Sequence, residues 1–259
     1  MLKEFFRPFI SYKYLLFQLT QREIKARYKQ SFIGYAWVLL NPLAQLAVYS
    51  FVFSLVFRFP SDVPYPIFLF AALLPWTFFQ NSITSATQSL VHNDTLLKKV
   101  AFPREIIPYS VVFSKIIDFL VSCVVFIVFL FIYQVPLAYS AWLFIPLFLV
   151  HLILTVGISL FLSAANLFYR DIQYLANLLI MLWMYMSPIV YPLSMVPTEY
   201  IWLYKLNPMV GIIEGYRSAL FGYPFETKII YWSVAFSILL FTLSFVLFKK
   251  LEKVFADIV

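Results

Sequence analysis

Apolar residues along this chain gather into six long stretches, Phe32–Phe57, Ile67–Val91, Ile106–Tyr133, Ala141–Phe168, Tyr174–Ile189 and Ile229–Phe248, and most of the charge falls between them. An α-helix needs about 20 such residues to cross a bilayer core. The pattern therefore predicts an all-α integral membrane protein with six transmembrane helices, an even number that puts both ends on one side. Ahead of the first stretch, Tyr12–Lys29 has a different periodicity. Gln18, Gln21, Arg22, Lys25 and Lys29 recur at i, i+3, i+4 and i+7, with Leu15, Leu16 and Leu19 on another side. This predicts a helix lying in the membrane surface, its basic face toward anionic headgroups. A simpler topogenic cluster holding the N-terminus inside accounts for the same residues.

Two segments break the simple pattern. The first, His92–Pro108, reads HNDTLLKKVAFPREIIP and lies between two spans. Asp94 and Thr95 are suited to cap a short helix, Lys98 and Lys99 suit the negative end of its dipole, and Pro103 discourages continuation. Leu96, Leu97, Val100 and Phe102 are then apolar side chains outside the membrane. They either dock into a groove on another protein or fold back onto the membrane face. The second, Tyr191–Lys228, is too apolar for an ordinary loop yet is divided by Pro192, Pro197, Pro208 and Pro224. Met209–Phe221 has length for about three helical turns, too few to span. Two short helices dipping back into the outer leaflet are expected, with Glu214 and Arg217 placed to pair and Gly211/Gly215 forming a GxxxG that permits close packing.

Polar residues inside the spans refine this picture. The second half of span two carries Gln80, Asn81, Thr84, Ser85, Thr87 and Gln88 around the helix, so it must meet protein or a wet cavity rather than lipid. In span three, Lys115 and Asp118 are spaced i, i+3 near the cytosolic interface and could pair; a structural ion pair or a headgroup contact is expected in place of a proton relay, which needs further ionisable residues at membrane depth. Span five presents Tyr174, Asn177, Met181, Met184, Tyr185, Pro188 and Tyr191 as one stripe, and span one presents Asn41, Gln45, Tyr49, Phe53 and Phe57 at i+4 steps. Such faces either pack helices or line a path for sugars, whose C–H faces stack on aromatic rings while amides and phenols bond hydroxyls.

The 259 residues are 63% hydrophobic and 12% charged, about half the charged share of a soluble protein. The net charge of +7 sits beside apolar segments, where it sets orientation, so nucleic acid is not an expected partner. Lys and Arg concentrate in the N-terminal segment (Lys3, Arg7, Lys13, Arg22, Lys25, Arg27, Lys29), the 92–108 island (Lys98, Lys99, Arg104), at Arg170, and in the tail (Lys249, Lys250, Lys253). The other side has Arg58, Lys205, Arg217 and Lys228. The positive-inside rule places both termini and the island in the cytosol. No cleavable leader is evident in the first residues.

The single cysteine, Cys123, excludes an intrachain disulfide. His92 and His151 stand alone, without HExxH or CxxC, and the sequon at Asn93 falls in the cytosolic island. No GxxxxGK[ST] occurs, and five dispersed glycines build no phosphate-cradling loop, so any ATP used here is bound by another subunit.

FIGYAWVLLNPL (Phe32–Leu43), NDTLLKKVAFPREIIP (Asn93–Pro108), YRD (Tyr169–Asp171), SPIVYP (Ser187–Pro192), and NP with the downstream EGYR (Asn207–Arg217) together resemble the membrane subunit of bacterial ABC exporters for lipid-linked polysaccharide, the O-antigen and teichoic-acid permeases. The resemblance covers nearly the whole chain as one transmembrane domain, 1–259. It implies a homodimer in the bacterial inner membrane, paired with two ATPase subunits that bind ATP and Mg, with no cofactor in this chain. Segment 92–108 becomes the coupling loop, with Asp94, Leu96, Leu97, Lys98, Lys99, Phe102, Arg104 and Glu105 meeting the ATPase. Arg22, Lys25, Arg27 and Lys29, in segment 1–30, would guide the lipid diphosphate. Asn41, Gln45, Tyr49, Phe53, Tyr174, Asn177 and Tyr185 would line a glycan channel, and Tyr191, Glu214 and Arg217, in 191–228, an outer gate. Rival readings are an ABC exporter of teichoic acid, small lipo-oligosaccharide, lipid or drug, a membrane glycosyl- or acyltransferase, and an assembly scaffold. The enzyme predicts an acid or His cluster at one face, and the acids here are scattered. The scaffold has no need of the polar half of span two.

Overall fold

A computed structural model of the chain describes residues 9–29, 34–56 and 63–255. Among these residues every regular element is helical. The helices are α1 (Lys13–Tyr28), α2 (Trp37–Val56), α3 (Tyr65–His92), α4 (Asp94–Lys99), α5 (Ile106–Ile132), α6 (Phe144–Phe168), α7 (Ile172–Tyr185), α8 (Ile201–Leu206), α9 (Pro208–Phe221) and α10 (Thr227–Leu251). Short 3-10 turns precede α2 and α6 and follow α10. Four helical segments are long and apolar enough to cross a membrane: α3, α5, Tyr139–Phe168 and Thr227–Val254. Trp37–Phe53 and Ile172–Tyr185 are shorter apolar helices. The ends of the first expected span, Phe32 and Phe57, lie outside the described residues.

α3 is the axis of the bundle, packed by α2, α5, α6, α7 and α9. This is why a helix with so many polar residues is mostly buried. Three of its hydroxyls bond within the helix, Thr77 donating to the Leu73 carbonyl at 2.7 Å, Thr87 to Ile83 at 2.8 Å and Ser89 to Ala86 at 2.7 Å, while the buried Ser82 hydroxyl has no partner among the described residues. The Trp76 indole donates to Gln80 at 3.1 Å. Backbonding of this kind leaves little polarity to satisfy across the interface. His151 of α6 fills the centre of the same packing, fully buried, with its ring 5.3 Å from Phe78 and edge-on to it, and the Tyr216 hydroxyl 3.5 Å from Nδ1.

The fifth apolar stretch does not stay helical to Ile189. Helix α7 ends at Tyr185, because the residue before Pro188 is driven out of the α region. The carbonyls of Pro188 and Ile189 thereby become free for other donors.

α9 is only 14 residues long, about 21 Å at the usual rise, yet nearly every residue is buried between α6 and α10. Its ends are specified locally. The Asn207 side chain accepts from the Met209 N–H at 3.0 Å, Pro208 occupies the first turn, and Gly222 closes the helix at φ 74°. Orphan carbonyls at its C-terminus are taken by the chain ahead of α6, Ala138 N–H donating to Leu220 and the Ser140 hydroxyl to Ala219, both at 3.0 Å. The GxxxG has two unlike members. A Cβ at Gly211 would lie 2.7 Å from the Ile229 carbonyl and against the Ser233 hydroxyl, whereas at Gly215 the nearest atom is a Leu147 methyl at 2.9 Å. Backbone cannot yield as a leucine tip can. Gly211→Ala is therefore expected to lower stability by about 1–3 kcal/mol and Gly215→Ala by less, read as thermal midpoints of the purified protein. Equal midpoints would refute this account of the α9–α10 contact.

Candidate functional site

The 92–108 island is helical where its sequence suggested, and Val100, with extended dihedrals, ends α4 ahead of Pro103. Its cap differs from the expectation. Asn93 holds the N-cap position without capping; its amide donates to the Ser89 carbonyl at 2.8 Å and its oxygen accepts from the Arg22 guanidinium. Asp94 only accepts from the adjacent Thr95 N–H, at 2.6 Å.

Of the four apolar side chains, Leu97 and Phe102 fold back into the body of the protein, Leu96 is half-buried, and Val100 is 46% exposed. Folding back thus accounts for two of them, and an outward surface of Thr95, Lys98, Lys99 and Val100 remains. Glu105, expected at a partner surface, is also internal. Its carboxylate lies 2.7 Å from the Lys249 ammonium, which also meets Glu252 at 2.8 Å, while Glu252 accepts from the Arg104 N–H at 2.7 Å. Burial pushes the Glu105 carboxyl above its ordinary range, with Lys249 opposing the rise. This clasp ties the island to the end of α10. The only sequence signal for it was the i, i+3 spacing of Lys249 and Glu252, which named no third partner.

α1 buries Leu16 and Leu19 and leaves Arg22, Lys25 and Lys29 exposed. Gln18, Gln21, Arg22, Lys25 and Lys29 share an open depression of about 670 Å³. Arg27 departs from this set. It leaves the helix on another side and binds Asp118 and Ser114 of α5. The expected Lys115–Asp118 pair is therefore not formed: a guanidinium carrying two donors toward Asp118 and Ser114 claims the carboxylate that helical spacing had offered to Lys115.

The stripes on the first and fifth stretches are exposed to different degrees. Tyr174, 69% exposed, Asn177 and Tyr185, 62% exposed, lie opposite the buried Ala176 and Ile180 on α7. On α2, Asn41 and Gln45 are exposed, Tyr49 and Phe53 half-buried. Tyr49 stands edge-on to Phe53 at 6.5 Å between centroids. Phe57 lies outside the described residues.

Arg217 is 1% exposed. It donates to the carbonyls of Pro188 at 2.6 Å and Ile189 at 2.8 Å, pairs with Glu214 at 2.8 Å, and lies 3.6 Å over the Phe68 ring. The expected Glu214–Arg217 pair forms, and the arginine acts as an internal clamp on the 188–189 carbonyls. Tyr65 adds a bond to the Val190 carbonyl at 2.8 Å. Tyr191 donates to the Tyr185 carbonyl at 2.8 Å and lies 2.7 Å from the Tyr204 hydroxyl. Asn207 joins the same region, accepting from the Trp183 indole at 2.8 Å and donating to the Ser187 hydroxyl at 3.0 Å. No spacing rule pointed to the Trp183–Asn207 bond.

Among the described residues no group of three or more His, Cys, Asp or Glu is placed to hold a metal ion. The sequence model of the ABC-2 type transporter family matches residues 14–221. The chain belongs to that family. The match to ABC-2 type transporters begins in α1 and closes with α9. It takes in the basic face, the island, both stripes and the Arg217 clamp, and leaves outside residues 1–13 and the C-terminal part from residue 222, which holds α10 and the Lys249 and Glu252 side of the clasp. Similar proteins include an O-antigen export system permease protein RfbA of Klebsiella pneumoniae, 36% identical over 247 residues and covering 94% of each chain. RfbA of Myxococcus xanthus is 34% identical over 224 residues, 83% of each. The polysialic acid transport protein KpsM of Escherichia coli is 25% identical over 243 residues, 91% of this chain and 92% of its own. As an ABC-2 type membrane chain with four long apolar helices, the protein is a multi-pass membrane component of a transporter.

Proposed function

We propose that this chain is the transmembrane subunit of an ATP-driven exporter that carries a polyprenyl-diphosphate-linked polysaccharide from the cytosolic to the outer side of the bacterial inner membrane. The observation that carries the reading is the set of exposed amide and aromatic positions on α2 and α7, Asn41 and Gln45 on the first and Tyr174, Asn177 and Tyr185 on the second, which the chain's own core leaves uncovered. The names of the relatives, two RfbA permeases for O-antigen and a polysialic acid transporter, support it.

In this reading the protein is a single domain, 1–259, crossing the membrane six times, with α2 and α7 completing the count, both termini cytosolic, and α8 and α9 re-entrant from the outer side. The exposed faces of α2 and α7 meet a second copy around the glycan path. Two ATPase subunits bind ATP and Mg and seat against Thr95, Lys98, Lys99 and Val100. The depression at Arg22, Lys25 and Lys29 draws in the anionic head of the lipid. Segment 191–228 forms the outer gate, with Tyr191 as its mobile edge and Glu214 and Arg217 as its anchor.

Depletion of the protein in its host, followed by mass analysis of polyprenyl-linked material, tests the assignment. Build-up of a long lipid-linked glycan at the inner leaflet is expected; normal surface glycan with no such build-up refutes it. Tyr49→Ala combined with Tyr185→Ala is expected to slow export by roughly tenfold, the scale of two lost aromatic contacts. Unchanged export by the double variant at equal protein level would remove the channel role from this face.

A further inference from the structure

A pocket of about 310 Å³ opens between α1, α2, α3 and α5. Its charged wall follows from two facts of sequence. Ser114, Lys115 and Asp118 stand on adjoining positions of α5, and Arg27 arrives from the last turn of α1 to bind Ser114 and Asp118. Lys115 is left with a carboxylate already engaged elsewhere. Its side chain is only 9% exposed, lines the pocket, and has no ion pair or hydrogen bond among the described residues. An ammonium held on a largely buried side chain without a protein acceptor keeps its charge only when something in the pocket compensates it.

The facing walls carry free donors. Asn41 of α2 and Asn81 of α3 both line the pocket, both are exposed there, and neither makes a hydrogen bond among the described residues. Each amide offers two N–H groups. Of the ionisable groups in the field of Lys115, Arg27 and Asp118 offset one another, and Glu23 lies 3.3 Å from Arg22. The ammonium is therefore the uncompensated charge. The remaining wall includes Trp37, Leu74, Phe78 and Phe119. Beyond Asp118 the rest of α5, from Phe119 to Ile132, carries no charge, so the pocket sits where the apolar part of that span begins.

We propose that this pocket binds the phosphoryl headgroup of an isoprenoid lipid, with Lys115 as the charged anchor, the Asn41 and Asn81 amides as additional donors, and the apolar wall receiving the first part of the tail. The proposal rests on the export reading above and names a station for the lipid head distinct from the open Arg22, Lys25 and Lys29 depression. An anion there supplies the acceptors that Lys115 lacks, and donors from three helices fix its position.

The full chain in nanodiscs of zwitterionic phosphatidylcholine, titrated with farnesyl diphosphate and separately with inorganic diphosphate, tests this. Farnesyl diphosphate is expected to bind, and Lys115→Met to weaken it by roughly ten- to hundredfold, the loss of one charged hydrogen-bonding group. Lys115→Arg retains most of the affinity, and Lys250→Met, on the exposed end of α10, changes nothing. Unaltered affinity in Lys115→Met overturns the proposal. Inorganic diphosphate binding as tightly as the lipid, with the same dependence on Lys115, overturns the lipid assignment in favour of a soluble anion. Asn41→Ala with Asn81→Ala gives an independent reading: a further loss of affinity is expected, and it decides the matter should Lys115→Met fail to fold. Glycan build-up on depletion is unaffected by these outcomes, so the pocket can fail while the export reading stands.

Discussion

Arg217→Met is expected to destabilise the protein by about 3–5 kcal/mol, the usual consequence of removing one partner from a buried ionic cluster. The guanidinium is the shared donor for the Pro188 and Ile189 carbonyls and the Glu214 carboxylate, and its face covers Phe68. Methionine fills much of the volume but donates nothing. Two backbone carbonyls and a carboxylate then lose their donor in a place that water reaches poorly. Lysine is no substitute, because a single ammonium cannot reproduce a planar fork stacked on a ring. The measurement is the thermal midpoint and the yield of monodisperse protein in detergent for Arg217→Met, Arg217→Lys and Glu214→Gln. The order expected is Met lowest, then Lys, then Gln, since Glu214 is part-exposed and keeps access to water. A wild-type midpoint for Arg217→Met would show that the 186–190 turn holds its shape without the clamp.

Reversing the island's outward charge, Lys98→Glu with Lys99→Glu, is expected to abolish export while leaving the fold intact. Both ammonium groups are exposed and neither has a partner among the described residues, so the cost to folding stays within about 0.5 kcal/mol. Their loss falls on the partner. Like charges set against a surface selected for cations cost several kcal/mol and reduce association steeply. Leu97→Ala provides the opposite signature. That side chain is fully buried, and truncation there costs about 2–5 kcal/mol of stability. Copurification of the ATPase subunit and export rate, each at matched protein level, separate the two effects. Normal copurification and export in the charge-reversed variant would mean that the ATPase seats elsewhere.

Much of the architecture was legible in the residues because membrane insertion reads composition directly. Long apolar runs, the charges between them and the polar second half of α3 required only the unwillingness of backbone and charge to enter lipid. The limits of α9 were equally local, Asn207 and Pro208 at one end and Gly222 at the other. The partners of individual polar groups were another matter. Helical spacing paired Lys115 with Asp118, and a guanidinium from 91 positions earlier took the acid. The lipid-diphosphate reading grouped Arg27 with Arg22 and Lys25, although a step of two residues from Lys25 turns a helical side chain by about 200°.

The island divides along the same line. Its short helix, its stop before Pro103 and its outward lysines belong to the sequence. Which apolar side chains turn inward belongs to the tertiary structure, since Phe102 shares a cleft with Phe245 and Val246 of α10, and Glu105 finds Lys249 in the last turn of the same helix. What the sequence by itself determined is a many-spanned helical membrane protein with a charged island and a broken apolar segment before the last span, because lipid imposes one rule on every residue alike. What only the packed structure decided is which cation holds which acid, which arginine is a clamp, and which lysine lines a pocket without an acid to pair with among the described residues. Those outcomes depend on distances between helices, and no periodicity within one helix encodes them.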